Sequence, residues 1–148
     1  MKISIGCDHG GFKLKEKIKE YLTSKNIEVD DYGTFSSESV NYPNYAISVS
    51  KSVVDKKSDL GILCCGTGIG MSIVANKIDG IRAAVVGDTF SAKATKEHNN
   101  TNILCLGERV IGEGLALDIV DIWINAEFQG GRHQDRLDCI TAVEQGNI

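Results

Sequence analysis

Leu60-Gly61-Ile62-Leu63-Cys64-Cys65-Gly66-Thr67-Gly68-Ile69-Gly70 joins an apolar run of strand length to a loop with glycine at every second position. A buried strand that ends in such a loop and then opens a helix is a building unit of α/β proteins, and the loop amides at the helix's positive end can cradle an anion. Side chains alternate across a strand, so Cys64 and Cys65 point to opposite faces. Cys64 is expected in the core. Cys65, last before the loop, stands beside the helix N-terminus, a place that favours the thiolate, the form that acts as base or nucleophile.

Outward from this stretch the pattern repeats. Short runs rich in β-branched residues at 2–7, 27–32, 82–86 and 103–107 read as further strands beside 60–65. Between them, Leu14, Ile18, Tyr21 and Leu22 form one helical stripe, and Leu115, Ile119, Ile122 and Trp123 form another. A helix over 44–57 follows Pro43, the only proline, and one over 89–98 follows Asp88 as N-cap. After Phe128-Gln129-Gly130-Gly131, residues 132–145 make a final helix that no strand follows and that is free to dock elsewhere. The reading is a single domain over residues 1–148: a three-layer α/β/α Rossmann-like fold with a five-stranded parallel sheet and an extra C-terminal helix.

Composition agrees. With 148 residues, 42% apolar and 24% charged, the chain can hold a core without disulfides or a structural metal, and disorder, collagen and coiled coil are excluded. No apolar run approaches the roughly twenty residues of a membrane span, and the N-terminus turns polar at Asp8 and His9 too soon for a signal peptide. A cytoplasmic protein is expected. The five cysteines are odd in number and lack C-x-x-C spacing, so reduced thiols are expected. A formal charge of −4 without a basic block argues against nucleic acid or a membrane surface as partner and leaves small-molecule chemistry.

In open α/β sheets, ligands gather outside the strand C-termini, near the point where strand order reverses. The expected rim carries Asp8, His9, Gly10 and Gly11 after the first strand, Gly66 to Gly70 after the third, and Gly87 and Asp88 after the fourth. His98 and Asn99, at the end of the next helix, are read as joining the same rim. Arg109, just after the fifth strand, adds a cation. Arg132 and Arg136, four apart on one helix face, suit a phosphate grip. Asp88, 20 residues beyond Gly68, raises a dinucleotide site as an alternative. The loop is G-x-G-x-G rather than G-x-G-x-x-G, however, and follows the third strand. His9, His98, Asp8 and Cys65 could in principle bind zinc, but no ligand pair shows H-x-x-x-H or C-x-x-C spacing.

Gly6-Cys7-Asp8-His9-Gly10-Gly11-Phe12, Asn41-Tyr42-Pro43, Cys65-Gly66-Thr67-Gly68-Ile69-Gly70, Glu97-His98-Asn99 and Gly130-Gly131-Arg132-His133-Gln134-x-Arg136 together resemble the ribose-5-phosphate isomerase B family, in order and over nearly the whole chain. The resemblance implies a metal-independent aldose-ketose isomerase of the pentose phosphate pathway that needs no cofactor. It implies Cys65 as the base that moves a proton between C2 and C1, Thr67 as a proton relay, and the amides of Gly66, Thr67, Gly68, Ile69 and Gly70 as enediolate donors. His98 would open the furanose ring. Asp8, His9, Tyr42 and Asn99 would hold the sugar, and Arg109, Arg132 and Arg136, with His9, the phosphate. Some members use a glutamate from the following helix as base; here that helix begins Met71-Ser72, so the cysteine branch applies. A homodimer or tetramer with sites at the subunit interface is also implied. The alternatives are a six-carbon substrate, allose 6-phosphate or galactose 6-phosphate, and a non-catalytic nucleotide-binding module.

Overall fold

The computed structural model describes residues 1–148. The elements run β1 (Lys2–Cys7), α1 (Phe12–Ser24), β2 (Glu28–Asp31), α2 (Tyr42–Val54), β3 (Leu60–Cys65), α3 (Ile69–Ala75), β4 (Ala83–Val85), α4 (Thr89–Asn99), β5 (Ile103–Gly107), α5 (Glu113–Asn125) and α6 (Arg132–Glu144). All pairings are parallel, in the order β2-β1-β3-β5-β4. The expected three-layer α/β fold is therefore present.

Alternation along each strand builds two cores. Ile3, Ile5, Ile62, Cys64, Leu104 and Leu106 face α1, α5 and α4, whereas Leu63, Cys65, Ile103 and Cys105 face α2 and α3. Crossovers that step toward β2 use the first face and those that step toward β4 use the second, as a constant crossover hand requires. The direction of winding reverses between β1 and β3. The loops after these two strands thus leave to opposite faces of the sheet, which makes this the switch point of the winding.

Local chemistry sets the element ends. Pro43 stands in the first turn of α2, where its missing N–H costs nothing. The Asp88 carboxylate caps α4 by accepting from the Ser91 amide at 2.7 Å, and Asn100 ends that helix in the left-handed region at φ 45°. β4 is shorter than its β-branched sequence suggests, and Asn76 covers its edge: the side-chain amide bonds both the N–H (2.8 Å) and the C=O (2.9 Å) of Ala83. The α1 N-terminus has no capping side chain of its own; Glu108, beyond β5, accepts from the Leu14 amide at 2.7 Å instead.

One charged side chain lies wholly inside. Lys15 is 0% exposed, and its ammonium donates to both carboxylate oxygens of Asp31 (2.8 and 2.9 Å) and to the Thr34 carbonyl (2.7 Å). Burial pushes the Asp31 carboxyl up, but Lys15, Lys19 and the Gly33 amide outweigh it and hold the group below the usual carboxylate range. Its folded value is the depressed one, so the pair's contribution is present above about pH 4, the ordinary range of an unfolded Asp, and drains away as pH falls through the folded value. Asp31→Ala strands a buried ammonium and is expected to cost about 3–5 kcal/mol in urea unfolding at pH 7. A loss below about 1 kcal/mol, the size of an exposed pair, would contradict that account.

Candidate active site

Three loops meet backbone to backbone at the C-terminal ends of β1, β3 and β5. A Cβ on Gly11 would sit 2.4 Å from the Cys64 carbonyl, and one on Gly107 would sit 2.7 Å from the Thr67 carbonyl carbon. Gly68, at φ 79°, packs against the backbone of Leu106. Only glycine permits these approaches. The Asp8 amide then reaches the Cys64 carbonyl (3.2 Å), Glu108 N–H the Cys65 carbonyl (2.9 Å), and Arg109 N–H the Gly66 carbonyl (3.0 Å).

This nesting aims backbone donors at Cys65. The Gly68 amide donates to its Sγ at 3.0 Å, and the Ile69 amide donates to Thr67 Oγ1 at 3.2 Å. A thiolate sulfur accepts such a bond better than a thiol sulfur does. The other strand thiols differ. Cys7 donates its own hydrogen to the Thr34 carbonyl, and burial pushes its thiol up to about 12. Burial likewise pushes Cys64 and Cys105 well up, so these stay inert thiols.

The side chains around the loop are those expected. The buried Asp8 carboxylate accepts from the Gly10 amide at 2.8 Å. The Val40 amide donates to His9 Nδ1 at 3.2 Å, which leaves Nε2 as the protonated nitrogen, free to donate to a ligand. The Tyr42 ring lies against Gly70, where a Cβ would come within 2.9 Å of it. Arg109 folds over Gly66 with Nη1 3.1 Å from a Cβ position there.

The second group of expected site residues is elsewhere. The reading that put His98 and Asn99 on this rim is overturned, because a crossover helix runs antiparallel to its strands. α4 starts at the C-terminal end of β4, so its last turn lies at the opposite edge of the sheet. There the Asn100 carbonyl accepts from Arg82 Nε (2.9 Å), and the Asn102 carbonyl accepts from the amide of Gly61, near the start of β3. The eleven residues of α4 span roughly 16 Å. The first turn of α6, with Arg132 and Arg136, joins His98 at that far edge: Gln129 N–H donates to the Glu97 carbonyl (3.0 Å), and the His98 and His133 rings stack at 4.5 Å. The four side chains weighed as zinc ligands therefore do not converge.

One chain thus carries a thiol rim and, at the other end of the sheet, a histidine–arginine rim. None of Arg109, Arg132 and Arg136 pairs with a carboxylate, which leaves their guanidinium groups available to an anion. Glu108 and His133 are not among the residues expected at the site. Glu108 carried no sequence signal. His133 did, as the remaining histidine, beside Arg132 at a glycine break.

A doubly wound parallel sheet with a thiol, a loop of amide donors and convergent polar side chains at its switch point defines a small-molecule site of the α/β class. The chain belongs to the Ribose/Galactose Isomerase family, whose model matches residues 3–140. It is 51% identical over 144 residues to ribose-5-phosphate isomerase B of Escherichia coli strain K12, with 97% of each chain covered. It is 46% identical over 147 residues to ribose-5-P isomerase B of Listeria innocua, with 99% of each covered. The solved ribose-5-phosphate isomerase B of Clostridium thermocellum superposes with a TM-score of 0.98 at 51% identity, over 100% of both chains. No helix is long and apolar enough to cross a membrane.

Proposed function

We propose that the chain is an aldose-ketose isomerase that interconverts ribose 5-phosphate and ribulose 5-phosphate. The observation that carries this reading is the Gly68 amide aimed at Cys65 Sγ from within a loop of further donors. In the open-chain aldose, the Cys65 thiolate takes the C2 proton, and the electrons of that bond form the C1=C2 enediolate. The amides of residues 66–70 hold its developing charge. Thr67 relays the proton between O2 and O1, and the Cys65 thiol returns its proton to C1. C2 is oxidised and C1 reduced within one molecule, so the steps balance without an external oxidant. Asp8, His9, Tyr42 and Asn99 hold the sugar hydroxyls.

Ribose 5-phosphate is mostly a closed ring; His98 donates a proton to the ring oxygen as the C1–O bond breaks, and the anomeric O1–H gives its proton to solvent as the C1 carbonyl forms. His98, Asn99, Arg132 and Arg136 lie too far from Cys65 to serve the same chain's thiol. Two copies related by a two-fold axis can place the histidine–arginine rim of each against the thiol rim of the other, which makes two whole sites. The arginines then grip the phosphate together with Arg109 and His9. Exposed apolar side chains on α3 (Ile69, Ile73), β4 (Val85) and α6 (Ile140, Val143) offer surface for such pairing.

The test is an isomerase assay of the purified protein on ribose 5-phosphate, allose 6-phosphate and galactose 6-phosphate in D2O. The highest kcat/KM is expected for ribose 5-phosphate, with solvent deuterium entering the product carbon that receives the proton. A preference for a six-carbon sugar would move the assignment to that substrate. Turnover of none would favour a non-catalytic nucleotide-binding module.

A further inference from the structure

We propose that His133 is a positioning residue for ring opening, its imidazole serving as the platform that fixes the plane of the His98 ring. The proposal rests on the reading of His98 as the ring-opening acid and names the group through which that acid is held. The two rings stack with centroids 4.5 Å apart and planes 13° from parallel. His133 is 7% exposed, whereas His98 is exposed in the last turn of α4, just before the left-handed Asn100 ends the helix. A histidine in that place has several rotamers open to it. A ring packed flat against one face removes most of them and sets the direction in which the edge nitrogens point.

The chain around His133 is built to deliver that face. Gly130 and Gly131, at φ 64° and 57°, turn the backbone so that α6 starts beside the last turn of α4. Gln129 N–H donates to the Glu97 carbonyl at 3.0 Å, and His133 N–H donates to the Gly130 carbonyl at 3.1 Å. One turn further, Leu137 is buried on the same side of α6 and keeps the helix seated. The charged and titratable groups facing His133 are His98 from α4 and Arg132 and Arg136 from its own helix. Burial first, then these three neighbours, hold its imidazole below the usual histidine range. That direction favours the neutral imidazole, whose flat face packs against the His98 ring.

The experiment compares initial rates from ribose 5-phosphate, a ring, with those from ribulose 5-phosphate, an open chain because the hydroxyl that would close a five-membered ring carries the phosphate; the second rate is read as open-chain aldose, trapped chemically before its ring closes. The variants are His133→Asn, which keeps polarity but removes the aromatic face, and His133→Phe, which keeps the face. His98→Asn and the His98→Asn/His133→Asn double variant complete the set. His133→Asn is expected to lower kcat from ribose 5-phosphate about tenfold, with KM and the rate from ribulose 5-phosphate within about twofold. The preserved ribulose rate shows that the variant folds. His133→Phe should recover the ribose rate to within about threefold, and the double variant should be no slower than His98→Asn alone.

Equal loss in both directions, no loss in either, or a His133→Phe variant no better than His133→Asn would overturn the assignment. His98→Asn separates the two readings. A selective loss there, combined with multiplied losses in the double variant, overturns the role of His133 and leaves the ring-opening reading standing. No selective loss in His98→Asn overturns both.

Discussion

Cys65→Ala is expected to lower kcat for ribose 5-phosphate by about 10³-fold, within the range of about 10² to 10⁴ that a positioned general base contributes. That corresponds to about 4 kcal/mol of barrier. Substrate binding should survive, because the sugar and phosphate contacts lie on other side chains and on backbone amides. Competition by inorganic phosphate should therefore be unchanged. Retention of turnover within about tenfold of the parent, only about 1.4 kcal/mol, would remove Cys65 from the mechanism. Alkylation supplies an independent reading. Cys7, Cys64 and Cys105 are buried thiols held in the neutral form, and Cys139 is exposed. In a Cys139→Ser background, iodoacetamide should therefore label Cys65 alone, and bound substrate should slow that labelling.

A second large effect is recovery of activity by mixing two inactive variants. Cys65→Ala and His98→Asn chains, exchanged and assayed on ribose 5-phosphate, are expected to form mixed dimers in which one site carries both lesions and the other carries neither. Random pairing makes half the dimers mixed, each with one intact site of two, so about a quarter of parental activity should return. If mass spectrometry finds mixed dimers and no activity appears, Cys65 and His98 serve the same chain's site. The antiparallel run of α4 makes that second outcome hard to build, since it would require the far edge of the sheet to fold back on the near one.

Much of this arrangement is legible in residues alone. The run ending at Cys65 reads as a strand, and alternation splits Cys64 from Cys65 onto opposite faces, as observed. Asp88 reads as a cap because its side chain serves amides within the next turn. Strand and helix ends shift by a few residues; α2, for instance, begins at Tyr42 and stops at Val54 rather than near 57. What a linear reading misses depends on partners distant in sequence. Lys15 sits between Leu14 and Ile18 like any surface lysine, and its burial follows from Asp31 on another element. The glycines are visible, but the Cys64 and Thr67 backbones they touch are not. His98 was misplaced because its motif shows which residues are reactive, whereas the edge they occupy depends on the direction of the helix that carries them.

That direction also bears on how such a gene can diverge. Where the two halves of a site lie at opposite ends of one chain, a duplicated pair of genes can divide them. One copy can then lose its thiol end and the other its histidine end, and a mixed pair still holds one whole site. Each descendant would bear an incomplete set of reactive residues while remaining indispensable to the other, and inspection of either sequence by itself would class it as a dead enzyme.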